Sequence, residues 1–367
     1  MNDSDADPHG LTIYDVARHA GVSIASVSRV LNNRNNPRPE TKERVLRAVQ
    51  ELGFVPDGAA RALSNRFKEI VGVVFRRALT GATDGGLFED ENESLLFEDV
   101  INRGIEVAAR HRGFDLLMSS VPVSDRYPQP RISALAGKCD GLILHDQVLT
   151  AAEIQQVALR TPVVILAGTA IERGVNVRSD NATGMRALAQ HLVVDHGYRT
   201  VAYLAGHADS PDNLARAEAF ERAVDEVGAA CWTGPVWQGN YMAAGGAAAI
   251  RAVFDSGHPL PRAIACANDQ TAIGVMRALA ERGVRVPAEV AVAGFDDIPV
   301  ARHLHPPLTT IRQPIHQLGA TAFDVLYSLV NGEPMTEPEI VLPTTLVVRE
   351  SCGCPPESPA ARTGRKG

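Results

Sequence analysis

The 367-residue chain lacks any apolar run long enough to cross a bilayer, and its first ten residues are polar and do not read as a signal peptide. A cytoplasmic protein is expected. Cysteine is scarce, with Cys139, Cys231, Cys266, Cys352 and Cys354, an odd set that fits a reducing compartment. Cys352 and Cys354 are separated by one glycine, but two thiols supply only half of a tetrahedral shell, and the eleven histidines show no zinc spacing. That pair reads as inert, so no metal is expected. No glycine-rich phosphate loop follows a strand and no Gly-x-Ser-x-Gly elbow occurs, while His303 and His305 flank a proline-rich turn and read as structural. The chain therefore reads as a non-enzyme that needs no cofactor.

Positive charge is also short overall, at a net −7, yet it is concentrated in one place. Residues 11–68 hold ten Lys or Arg against five Asp or Glu, a local balance of +5. A basic head on an acidic body points to a polyanionic partner. Within that head, residues 12–31 combine two short helical patterns with a glycine between them. Thr12 and Asp15 form a capping pair, and Ile13, Val16 and Ala17 share a face. Gly21 falls where a tight turn needs positive φ, Ser23 caps the next helix, and Val27, Val30 and Leu31 hold it against the first. Ile24, Ala25, Ser26, Ser28 and Arg29 are left outward. Short side chains plus one arginine near a helix start can approach base edges in a major groove. A plain surface hairpin has the same apolar spacing, so the following residues matter.

Asn32 to Arg38 form a polar loop, Pro39-Glu40-Thr41 opens a third helix through about Leu52, and Gly53 ends it. Phe54-Val55-Pro56-Asp57-Gly58-Ala59-Ala60-Arg61-Ala62-Leu63-Ser64 follows. Over residues 12–64 this closely resembles the head and hinge of the lactose-repressor (LacI/GalR) family of bacterial transcription regulators. The resemblance implies DNA contacts from Thr12, Tyr14, Ser23, Ile24, Ala25, Ser26, Ser28, Arg29 and Asn32 in the head. It adds Arg61 and Leu63 in a short hinge helix, with Leu63 wedging into the minor groove.

From residue 70 short apolar runs alternate with helical patterns. Strands are expected at Ile70–Phe75, Phe114–Met118, Gly141–Leu144, Val163–Ala167, Thr200–Leu204, Ala263–Ala267 and Val290–Phe295, with helices near 98–112, 150–159, 181–196, 212–227, 241–255, 269–282 and 314–331. That alternation means parallel sheets covered by helices on both faces. The order restarts near Val175, so the fold class is a small all-α helix-turn-helix head plus an α/β core of two similar parallel-sheet lobes. Ligands bind at the carboxyl ends of such strands, here meeting in an interlobe cleft.

The strings from Ser179 to Gly184, Cys266 to Gly274, Val292 to Pro299 and Pro306 to Pro314 extend the resemblance to about residue 350, where the family carries a core like a periplasmic sugar-binding protein. The resemblance implies effector contacts from Arg216 and from the aromatic Tyr241. Asn268 and Asp296 follow strands, with helix or turn capping as the alternative, and Asp146 contributes from the first lobe. For Asp180 and Asn181 capping is the favoured reading. Residues 80–99 carry seven acids and no Lys or Arg where the family has a short loop, and read as a solvated loop, with a mobile lid or a partner site as the alternatives. The expected organisation is a disordered stretch over 1–10, the head over 11–56, a hinge and linker over 57–68, the core over 69–350 and a flexible tail over 351–367. The tail lacks the apolar heptads of a tetramerising coiled coil, which predicts a homodimer on a pseudo-palindromic operator. The function expected is a ligand-responsive repressor with operator DNA and a sugar-like effector as partners. A sugar receptor, or a regulator using a protein corepressor, is the alternative.

Overall fold

The computed structural model describes residues 11–31, 37–55, 67–77, 95–122, 125–335 and 337–356. The chain divides into two compact units, Met1–Lys68 and Glu69–Gly367.

In the first unit, α1 spans Ile13–Ala20, α2 Ile24–Leu31 and α3 Pro39–Leu52. The Thr12 amide and hydroxyl both donate to Asp15 Oδ2, at 2.9 and 2.6 Å, which fixes the start of α1. Gly21 ends it at φ 60°, where a side chain is disfavoured. Arg44 Nη2 of α3 donates to the carbonyls of Ala20 and Gly21, at 2.6 and 3.0 Å, satisfying acceptors that α1 leaves open. Ser23 Oγ accepts from the Ser26 amide at 3.2 Å and caps α2. Val16, Ala17, Ala20, Val27, Val30, Val45, Ala48 and Phe54 close a small core between the three helices.

The second unit holds two six-stranded sheets. In the first, the order is β11(Glu339–Leu342)-β5(Val175–Ser179)-β4(Val163–Leu166)-β3(Gly141–His145)-β1(Ile70–Arg77)-β2(Asp115–Pro122), all parallel. In the second, β12(Thr345–Val347)-β10(Thr309–Arg312)-β9(Ala291–Asp296)-β8(Ala263–Cys266)-β6(Thr200–Leu204)-β7(Ala230–Trp232) is parallel except where β12 runs against β10. Central strands such as β4, β8 and β9 are buried along their length, as continuous apolar runs in a doubly covered sheet must be.

Two expectations need correction. Val175 does not begin the second lobe. Val175–Ser179 is β5, paired between β4 and β11 in the first sheet. The chain changes sheet after Ser179, returns after β10 so that the helix Ile315–Val330 covers the first lobe, and crosses again between β11 and β12. Nor is the end of the chain free from residue 351 onward. Ser351 and Cys352 are fully buried, the Ser351 amide donates to Pro307 O at 3.0 Å, and its hydroxyl donates to Val292 O at 2.6 Å. Residues 1–10 and 357–367 lie outside the described residues, as do most of the hinge and of the acidic insertion.

Candidate functional site

Three crossing strands meet between the lobes and are pinned to one another. Ser179 Oγ donates to Gln313 Oε1 at 2.7 Å, the Asp180 amide to Leu342 O at 2.8 Å, and Thr344 Oγ1 to Asp180 O at 2.8 Å. Beside them lies a cavity of about 330 Å³ at the carboxyl ends of β3, β4, β8 and β9. All five residues expected to contact an effector line it: Asp146, Arg216, Tyr241, Asn268 and Asp296. Non-glycine residues with positive φ gather there. Gln147, Ala167, Tyr241 and Asp296, at 62°, 59°, 66° and 122°, all line the cavity, whereas Glu69 and Asp297 do not. Backbone strain concentrates where a site demands particular side-chain placement.

Arg216 is the anchor. It projects from the helix Pro211–Glu226, which Ser210 caps by accepting from the Asn213 amide. Its Nε donates to Asn181 Oδ1 at 2.8 Å, Nη1 to Ala267 O at 2.7 Å and Nη2 to Asp212 Oδ2 at 3.3 Å, while the guanidinium lies 3.7 Å over the Phe295 ring. A guanidinium has five N–H groups, so three protein acceptors orient it and donors remain for a guest. Asp146, Asp212 and Asp296 share the cavity with this cation, as do Glu98 and a second arginine, Arg76. Burial pushes Asp146 up to about 7, with the Asp212 charge adding to the effect. Burial also raises Asp212 and Asp296, against the opposing pull of Arg216. Gln313 Nε2 donates to Asp296 Oδ1 at 2.5 Å and aims that carboxylate. Tyr241 places its ring against Gly206 and its hydroxyl donates to Ser210 Oγ at 3.2 Å.

Asn268 lines the cavity but is spent on structure. Its Oδ1 accepts from the Thr271 amide at 2.9 Å, capping the helix Asp269–Glu281, and its Nδ2 donates to Tyr241 O at 2.9 Å. Capping, the alternative for this residue, is what the structure shows. Asp180 caps as expected, through the Thr183 amide at 3.0 Å. Asn181 does not. It is buried and bridges the pair, its Nδ2 donating to Asp212 Oδ1 at 2.7 Å while its Oδ1 holds Arg216.

Sequence reasoning missed Asp212, Asn181, Gln313 and His145. Asp212 follows Ser210-Pro211 and looks like an ordinary first-turn acid. His145 ends β3, lines the cavity and has a buried Nε2 with no hydrogen-bond partner among the described residues, while burial lowers its pKa to about 4. Phe97, Ile101 and Leu166 give the cavity an apolar wall.

On the head, Thr12, Tyr14, Ser23, Ile24, Ala25 and Arg29 are exposed, and Ser26 and Ser28 partly so. Two of them are large apolar surfaces left in solvent, Tyr14 at 62% and Ile24 at 41% exposure. Thr12 and Ser23 also serve as caps. Asn32, Arg61 and Leu63 lie outside the described residues.

The cysteine pair, read from its spacing as inert, has histidine neighbours that the spacing did not reveal. The fold brings His191 and His196 to Cys352 and Cys354, and the four donor atoms lie within 4.8 Å of one another. Two side chains from a helix end and two from a segment some 160 residues later leave no local spacing to recognise.

Residues 12–57 match the pattern of bacterial regulatory proteins of the lacI family, and residues 189–352 match a periplasmic binding protein-like domain. The chain is 32% identical over 354 residues to the HTH-type transcriptional regulator CelR of Thermobifida fusca, covering 93% of this chain and 98% of that one. Its fold is similar to the lac repressor dimer bound to operator and the anti-inducer ONPF, with a TM-score of 0.78 and 27% identity over 94% of this chain and 99% of that one. It is likewise similar to a transcriptional regulator CelR–cellobiose complex, with a TM-score of 0.65 and 29% identity over 93% and 99%.

Proposed function

The chain belongs to the lacI family of bacterial regulatory proteins, a DNA-binding transcriptional regulator with a small-effector core, and we propose that its effector is a neutral sugar or similar polyol held at Arg216, Asp146, Asp296 and Tyr241. The observation that carries this reading is the composition of the cavity. Four carboxylates, Glu98, Asp146, Asp212 and Asp296, line it with two arginines, Arg76 and Arg216, the second already neutralised by Asp212, beside an aromatic ring and an apolar wall. Carboxylates accept paired hydrogen bonds from adjacent hydroxyls, and a ring face covers the apolar side of a pyranose. Acidic groups outnumber the arginines around the cavity, which favours a neutral guest over an anionic one. The relatives support the same class, since one solved homologue holds cellobiose.

In this reading the exposed face of α2 reads operator base edges, a homodimer spans a pseudo-palindrome, and the protein works as a repressor in the cytoplasm. No catalytic step is assigned to it, in keeping with relatives that are transcriptional regulators. Calorimetric titration with a panel of neutral mono- and disaccharides, sugar phosphates and free purines tests the effector class. A neutral saccharide should bind, and Asp146→Asn should weaken it by about 1.5–3 kcal/mol, the range for a charge-assisted hydrogen bond. Tighter binding of a phosphorylated or purine ligand, undiminished in the variant, would contradict it.

A further inference from the structure

The helix Asn181–Gln190 does not simply end. It widens into a π-turn over His191–Asp195, closed by the His196 amide donating to His191 O at 3.2 Å. The turn has a geometric consequence. In an α-helix residues five apart point about 140° away from each other, whereas i→i+5 hydrogen bonds bring them towards one face. His191 and His196 therefore present their rings together, edge to face at 4.7 Å between centroids. Single π-turns in α-helices frequently mark functional sites.

Facing these rings is the segment after Glu350. Gly353 holds φ 103°, and a side chain there would come within 2.7 Å of the Tyr198 hydroxyl. Only glycine lets the backbone turn there, so both flanking thiols reach the histidines. His191 Nε2 lies 3.4 Å from Cys352 Sγ and 3.7 Å from Cys354 Sγ, and His196 Nε2 lies 3.3 Å from Cys354 Sγ. Zinc–sulfur bonds of about 2.3 Å and zinc–nitrogen bonds of about 2.0–2.1 Å, at tetrahedral angles, put neighbouring ligand atoms about 3.3–3.8 Å apart. These three spacings fall in that window, and all four atoms lie within 4.8 Å of one another.

The surroundings are those of a ligand set. Asp195 Oδ2 accepts from His191 Nδ1 at 2.9 Å, which leaves Nε2 as the lone-pair nitrogen that faces the sulfurs. Tyr198 stacks on His196 with centroids 5.2 Å apart, and its hydroxyl donates to Cys352 O at 2.9 Å, so both histidine and cysteine are oriented from outside. Cys352 is fully buried and His191 nearly so, while His196 and Cys354 are partly open and give an entry path.

We propose that His191, His196, Cys352 and Cys354 form a tetrahedral zinc site that fastens the C-terminal segment to the second lobe. Two thiolates with two imidazoles suit zinc among the common cations, and four protein ligands leave no open position for substrate. The site is structural. It lies at the opposite end of the helix from Asn181, the residue that holds Arg216.

The test uses the full-length protein, purified under reducing conditions and supplied with zinc. Elemental analysis should find one zinc per chain, and replacement by cobalt should give the visible absorption of a tetrahedral ion with a thiolate charge-transfer band. Cys354→Ser with His196→Ala should abolish stoichiometric binding, whereas Cys231→Ser should leave it intact. Asp195→Asn, which keeps all four ligands, should keep the stoichiometry but weaken affinity by about 10–100-fold. Should the double variant fail to fold, chelator competition against the cobalt form of the wild type reads the same site by its spectrum. Absence of zinc from the reduced protein, zinc retained in the folded double variant, or cobalt without the thiolate band would overturn the assignment.

Discussion

Asp146 and Asp296 reach the same cavity from different lobes, and their protonation is tied to what the cavity holds. Burial raises both, Asp146 to about 7, so the folded core takes up protons that the unfolded chain releases at ordinary carboxylate pH. The stability these groups contribute is present below the unfolded value near 3.8 and is lost as pH rises through about 7. Hydroxyls that donate to the ionised carboxylates reverse the shift. Effector binding should therefore release protons, and affinity should fall by up to about tenfold per pH unit for each carboxylate as pH drops below 7. Facing groups shape the curve: Asp212, Asp209 and Ser210 stand near Asp146, Arg216 opposes Asp296, and His207 is pushed down by burial. Titrations at pH 6.5 in two buffers of different ionisation heat measure the proton count, and uptake in place of release would contradict this account. At this scale the sequence was informative where a residue follows a strand, as with Asp146 and Asp296. It was silent on Asn181, which lies 35 residues before Arg216 and meets it only through the tertiary fold, and it passed over Asp212, which stands four residues before Arg216 on the same helix.

At the scale of elements, the loop after β6 and the start of the helix Ala243–Asp255 are fitted to each other. A Cβ on Gly206 would lie 2.3 Å from the Tyr241 ring, and that ring is already fixed by the bond to Ser210 and by its own positive φ. Gly206→Ala should push the ring from its place, costing about 1–3 kcal/mol of stability as overpacking does and weakening effector binding through Tyr241. A thermal melt and a calorimetric titration of the variant check both parts. Unchanged affinity would mean that the ring is not part of the site. Elements with strong patterns are legible in the sequence itself: β6 spans Thr200–Leu204 as expected, and the long helices differ by a few residues at their ends. Those lost were short or mixed in polarity, namely β5, β7, β10, β11, β12 and the helix Gln129–Ala136. Val175–Ser179 carries Asn176 and Arg178, whose partner Glu339 comes from β11, so its pairing is invisible to local periodicity. The helix read as continuous over 181–196 hides the π-turn, because apolar spacing alone does not separate i→i+4 from i→i+5 bonding.

For the whole molecule, the division into a basic head and a two-lobed acidic body was readable from charge and alternation, and the family follows from motifs spread along nearly the full chain. The boundary between lobes was not, since three crossings rather than one join them and the final crossing involves strands of three and four residues. Those crossings, pinned by Ser179, Asp180, Gln313 and Thr344, are where a change in lobe angle must be absorbed. A ligand between the lobes shifts that angle only to the extent that it binds one arrangement better than the other.

The central claim is that the cleft ligand controls the DNA-reading head, and thermodynamic linkage makes it measurable in both directions. Operator affinity is measured with and without a saturating neutral saccharide identified by calorimetry, and saccharide affinity is measured with and without operator, at one salt concentration. The account predicts that the two ratios are equal and differ from unity by about 5–150-fold. A saccharide that binds at Asp146 and Tyr241 yet leaves operator affinity unchanged would contradict it.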